Sequence, residues 1–193
     1  MSPRIPSLVL AVAIVGAGCT AAADDFKPSP AVRLRAVKRT VTEGTVIVAG
    51  RPDDIYAALT DYTQWTAIFP NLRTVTIRSV TADTAVIETV SHKDKRHTLT
   101  FRNDPARRIV RFQERGGRVD ATAEITLRPG PRAGFTLVTA RLDADVTGAA
   151  ALFVGDGTVR RKREKKVAGD LAKLRAYFGP AGDAADPTRP PRR

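Results

Sequence analysis

Cysteine occurs once in the 193 residues, at Cys19. No internal disulfide can form, and the Cys/His spacings that build structural metal sites are absent, so neither metal nor cofactor is expected. Histidine is almost as scarce. Only His92 and His97 occur, and neither has a partner at the spacing of a metal site or a nucleophile triad. No glycine-rich phosphate loop and no nucleophile motif appears, so no residue is assigned as catalytic. Aromatic side chains make up 6% of the chain, too few for the base-stacking surface that grips single-stranded nucleic acid. Acidic charge is the other deficit: 20 Asp and Glu face 32 Lys and Arg, a formal net charge of +12. That excess favours acidic partners such as an anionic membrane or envelope polyanions, beside the plainer alternative that it keeps the protein soluble.

What is present begins with an N-terminal pattern. Arg4 is followed by a mostly apolar run from Ile5 to Val15 and by small residues from Gly16 to Ala23. The apolar run falls below the roughly 20 residues that span a bilayer. Charged start, short apolar run and small-residue region together read as a secretory signal over 1–23. Two processing routes stay open: cleavage after Ala21-Ala22-Ala23, or lipidation of Cys19 within Gly16-Ala17-Gly18-Cys19, which resembles a bacterial lipoprotein box. Either route places the protein outside the cytoplasm, in the periplasm or at the envelope, where nucleic acid is not an expected partner. Residues 24–36, with Pro28 and Pro30, read as a linker.

A strand is expected from Val37 to Ala49. Gly50-Arg51-Pro52-Asp53-Asp54 then opens a helix whose positive end suits the two aspartates. Asp61 ends it, and Tyr62 to Phe69 forms a second short helix halted by Pro70, with Trp65 and Phe69 on one face. Beyond Pro70 the period changes to two. Strands are expected at 73–80, 84–91, 96–103, 108–116, 118–128 and 134–143, separated by short turn-like segments that make a meander. Val119, Ala121, Ala123, Ile125 and Leu127 alternate with polar residues, as a sheet with one covered face requires.

The last element runs from Val159 to Phe178. Val167, Leu171, Leu174 and Phe178 fall on one helical stripe, and Gly179-Pro180 stops the helix. Its first half is cationic at Arg160, Arg161, Lys162, Arg163, Lys165 and Lys166. Residues 180–193 read as a disordered tail. The helix is expected to lie across the curved sheet and to close an apolar cavity.

Strand, two short helices, six strands and a long helix is an order that resembles the START and Bet v 1-related superfamily, the polyketide cyclase/dehydrase and lipid-transport group. The resemblance rests on Val46–Leu72, where Asp61, Tyr62, Trp65 and Pro70 match the family pattern, and on the terminal Leu171–Leu174 helix. It implies an α+β helix-grip fold over 37–179: a curved seven-stranded antiparallel sheet (β-α-α-β6-α) gripping the C-terminal helix. It also implies a hydrophobic small molecule or lipid as partner of a monomer. Inward parity makes Leu99, Phe101, Val110, Phe112, Ala121, Ala123 and Ile125 candidate cavity walls, with Val167, Leu171 and Trp65 from the helices. His97, Glu114 and Glu88 are candidate polar groups on those walls, although Ile87 competes with Glu88 for the inner face. The leading expectation is a carrier or sensor of an apolar ligand, docked on an anionic membrane through the six cations. The alternatives are a cyclase/aromatase-type enzyme using Glu88, His97 or Glu114, and a protein-interaction role for the cationic helix.

Overall fold

The computed structural model describes residues 31–38, 40–114, 119–146 and 156–179. These form one antiparallel sheet of eight strands, two short helices with a 3-10 turn between them, and a long helix. The strands are β1 (Arg33–Lys38), β2 (Val41–Ala49), β3 (Leu72–Val80), β4 (Thr84–Ser91), β5 (Arg96–Asp104), β6 (Ile109–Glu114), β7 (Val119–Pro129) and β8 (Phe135–Val146). Their order across the sheet is β1-β2-β8-β7-β6-β5-β4-β3. Strands β3 to β8 pair with their sequence neighbours, the meander that short turns dictate. The return from β8 to β2 brings the two ends of the domain together.

Seven strands were expected, and the eighth lies where a linker was predicted. Arg33–Lys38 pairs with β2 despite the prolines before it. Its side chains are mostly exposed, so it lacks the alternation that marks a half-buried strand. What holds it is the free edge of β2, whose backbone donors and acceptors need partners.

The helices α1 (Pro52–Thr60) and α2 (Trp65–Ile68) flank the 3-10 turn at Tyr62–Gln64. Asp61 ends α1 and caps the turn: its carboxylate accepts from the Thr63 amide at 3.1 Å, the Thr63 hydroxyl at 2.5 Å and the Gln64 amide at 2.7 Å. Those bonds hold its carboxyl below the usual value. The helix α3 (Asp156–Phe178) ends as expected, with Gly179 at φ +97° and its amide bonded to the Arg175 carbonyl at 2.9 Å. Val167, Leu171 and Leu174 are buried against the sheet. Helix α3 packs chiefly on β2 and β8, with further contact to β1 and α2. Gly44 on β2 makes that approach close, because a Cβ there would meet Val167 Cγ1 at 2.7 Å and Leu171 Cδ1 at 2.8 Å. No helix among the described residues is long and apolar enough to cross a membrane.

Candidate ligand site

Cross-strand register assigns the inner face. Ala85, Ile87 and Thr89 of β4 stand opposite Phe101, Leu99 and His97 of β5. Phe101 and Leu99 stand opposite Phe112 and Glu114 of β6, which in turn face Ala123 and Ala121 of β7. The period of two therefore places all seven predicted sheet positions, Leu99 to Ile125, on the face that the helices cover.

One end of that face is plugged by aromatic rings. Trp65 donates its indole N–H to the Leu59 carbonyl at 2.9 Å, which satisfies the one polar group the ring buries. Its ring meets Phe101 edge-on at 5.2 Å and tilts against Phe69 at 5.1 Å, and Tyr62 lies 4.7 Å from Phe101. The Tyr62 hydroxyl receives a bond from Asn103 Nδ2 at 3.0 Å, and burial pushes its phenol up from the ordinary value. This plug sits under α1 and α2, whose contacts run to β3, β6 and β7.

Toward the other end the face opens by steps. Along β5, Phe101 is fully buried, Leu99 keeps 8% exposure and His97 is half-buried. Along β6 the same direction runs from buried Val110 to half-buried Phe112 and Glu114. Along β7 it runs from Leu127 through Ile125 and Ala123 to half-buried Ala121. Three adjacent strands thus lose cover together, and the side chains there shrink to alanine on β7 and at Ala144 of β8, which pairs with Ala121.

At that opening His97 and Glu114 form a pair. His97 Nδ1 lies 2.5 Å from Glu114 Oε1, with the two side chains 38% and 30% exposed. Sequence spacing alone hid this partnership, because the two residues are 17 positions apart and become neighbours only when β5 and β6 pair. Glu88, offered as a third wall group, points outward instead. Ile87 is the buried residue, and Glu88 bonds Arg78 at 2.6 Å on the opposite face, which keeps its carboxyl below the usual range. Arg111 donates to Glu124 at 2.7 Å on that same outer face.

The cationic stretch of α3 also divides. Arg163 is not a surface cation: it is 5% exposed and donates from Nη1 to the Ala144 carbonyl at 3.0 Å. Four residues before Val167, it continues the buried stripe of the helix. Arg160, Arg161, Lys162, Lys165 and Lys166 are exposed, with Arg160 bonded to Glu164 at 2.8 Å and Lys166 to Asp170. The Arg163 contact places this cationic half at the same sheet end as the His97–Glu114 pair. Separately, a shallow groove of about 240 Å³ between Ile47, Pro131, Arg132 and Phe135 involves none of the predicted residues. Cys19, residues 1–30 and the tail from 180 lie outside the described residues.

A curved antiparallel sheet closed at one end by short helices and gripped by a C-terminal helix defines the helix-grip class. More specifically, the chain belongs to the polyketide cyclase/dehydrase and lipid transport family, whose model matches residues 39–179. No curated relative matches the chain by sequence. Among solved structures it is similar to the di-domain ARO/CYC protein BexL, with TM-score 0.61 and 18% identity, covering 70% of this chain and 45% of BexL. It is also similar to the aromatase/cyclase ZhuI from a Streptomyces species, with TM-score 0.56, 20% identity, and coverage of 79% and 100%. A STAR-related lipid transfer protein from Xanthomonas axonopodis gives TM-score 0.60 and 17% identity, covering 79% of this chain and 96% of that one. The chain thus spans less than half of BexL. At these identities the likeness establishes the fold, and cyclases and lipid carriers stand side by side within it.

Proposed function

We propose that the protein binds a hydrophobic small molecule or lipid along the inner face of its sheet. The apolar part of the ligand lies over Leu99, Phe112, Ala121, Ala123 and Ile125, and stops at the Trp65–Phe101 plug. Its polar end reaches the His97–Glu114 pair. The observation that carries this reading is the stepwise loss of cover along β5, β6 and β7 toward one polar pair. Apolar surface arranged this way gains about 0.8 kcal/mol for each ligand methylene it takes from water. The exposed cations of α3, at the same end, dock the opening against an anionic bilayer, each contributing about 1 kcal/mol near the surface. Export through residues 1–23, with or without a lipid on Cys19, would bring the domain to such a membrane.

Native mass spectrometry of the protein taken from its own cell envelope tests this. A stoichiometric apolar adduct is expected, together with an N-terminal mass that reports cleavage or lipidation. Protein that stays empty even after exposure to an envelope lipid extract would sink the reading. A second reading, cyclase-type chemistry, draws on one observation, an imidazole and a carboxylate paired at an apolar opening. It requires turnover of a polyketide-like substrate that is lost in His97→Gln while binding survives.

A further inference from the structure

We infer that the His97–Glu114 pair selects ligands with a neutral, hydrogen-donating head, such as a long-chain alcohol or phenol, over ligands with an anionic head. This rests on the ligand-binding reading above and deepens it. The argument begins with the two ring nitrogens of His97. Glu114 Oε1, an acceptor, lies 2.5 Å from Nδ1, so Nδ1 carries the proton and an uncharged ring keeps Nε2 as its acceptor. Among the described residues Nε2 has no hydrogen-bond partner. The pair is half-buried, and among the described residues its neighbours across the strands are Thr89, Leu99 and Ala121. Nothing among them offers a proton donor except the Thr89 hydroxyl, itself 2% exposed. A ligand hydroxyl donating to Nε2 would complete this chain of bonds.

A carboxylate or phosphate head has no proton to give and would bring a second negative charge beside Glu114. In surroundings of low polarity that repulsion is poorly screened. The exposed cations of α3 at this end lie in water, where their charge is screened, and among the described residues Arg163 is the buried cation of the helix that would argue the other way. Its anchor, Ala144, is two strand spacings from Glu114, roughly 10 Å, and its Nη1 already serves the Ala144 carbonyl. A His97 ring holding both protons would likewise present Nε2–H and favour an anion.

The test is a competition at pH 8. The full-length protein, stripped of lipid, is equilibrated with equimolar hexadecanol, hexadecyl methyl ether, hexadecanoate and hexadecyl phosphate. Excess is removed by gel filtration and the bound compounds are extracted and quantified. Hexadecanol is expected to exceed each of the other three at least tenfold. In His97→Phe the alcohol-to-ether ratio should fall toward one, and in Glu114→Gln the discrimination against hexadecanoate should shrink at least tenfold. Hexadecanoate or hexadecyl phosphate binding as well as the alcohol would overturn the inference and leave lipid binding standing. So would an alcohol-to-ether ratio that survives His97→Phe. Retention of none of the four compounds would overturn both this inference and the binding function beneath it.

Discussion

Gly44 shows what a single residue can decide. A glycine within a strand costs conformational freedom and buries no side chain, yet here its missing Cβ is the space occupied by Val167 and Leu171. Two branched side chains seated on the buried face of β2 cannot both withdraw by several tenths of an ångström. Gly44→Ala should therefore destabilise the protein by about 1–3 kcal/mol, read as a lower urea midpoint at unchanged slope. A midpoint equal to or above that of the parent would show that α3 shifts freely on β2. Arg163 carries the complementary lesson: a cation one turn before the apolar stripe is drawn into it, with its Nη1 donating to a carbonyl at the sheet's end.

At the scale of the element, the junction between α1 and α2 depends on Asp61. One carboxylate satisfies two donors from Thr63 and one from Gln64, in a segment whose helices are only nine and four residues long. Helices so short hold their shape through caps and packing rather than through propagation. Asp61→Ala should cost about 1 kcal/mol, and Asp61→Asn less, measured by thermal or urea unfolding. Equal stability of the alanine variant and the parent would remove the cap from this account. Acid should act on the same element. The Asp61 carboxyl is held down by Thr63 and Gln64, Asp53 by Arg108, and Asp54 by Arg51. A depressed carboxyl pKa contributes stability above its unfolded value, near 4, and loses it as the pH falls through the folded value. The urea midpoint should accordingly be level from pH 7 to pH 5 and decline below about pH 4. Asp53 and Asp54 are exposed and Asp61 is half-buried, so the decline is shallow and weakens further in salt. A midpoint that rises below pH 4 would contradict the sign.

For the whole molecule, charge and opening coincide. The formal charge of +12 includes exposed Arg161 and Lys162 near the N-terminal end of α3, whose Arg163 touches the sheet end that bears the His97–Glu114 pair. If the cationic end docks on a bilayer as proposed, reversing two of its cations should weaken adsorption far more than it disturbs folding, since neither side chain is buried. The double variant Arg161→Glu, Lys162→Glu is expected to bind vesicles containing phosphatidylglycerol at least tenfold more weakly than the parent. The parent's own binding should fall steeply between 50 and 300 mM salt, about as the screening length shortens. Binding that is indifferent to both changes would detach the membrane from the function proposed here.

The period of two after Pro70, the stripe in the last helix and the glycine after Phe178 are local patterns. They determined the element order, the inner face at Leu99, Phe101, Val110, Phe112, Ala123 and Ile125, and the family resemblance. Local pattern reaches that far because burial repeats with the period of the backbone itself. Three things needed the tertiary structure. Strand β1 exists because the edge of β2 needs partners, and nothing in the periodicity of Arg33–Lys38 records that. Glu88 and Ile87 were equally placed by alternation until the pairing of β4 with β5 turned Ile87 inward. His97 and Glu114 lie 17 residues apart, and only the register of β5 on β6 brings an imidazole and a carboxylate into one hydrogen bond. A sequence specifies which residues are apolar and at what spacing. Which polar groups meet among them is decided by non-local pairing, because hydrogen bonds act over about 3 Å and have no period along the chain.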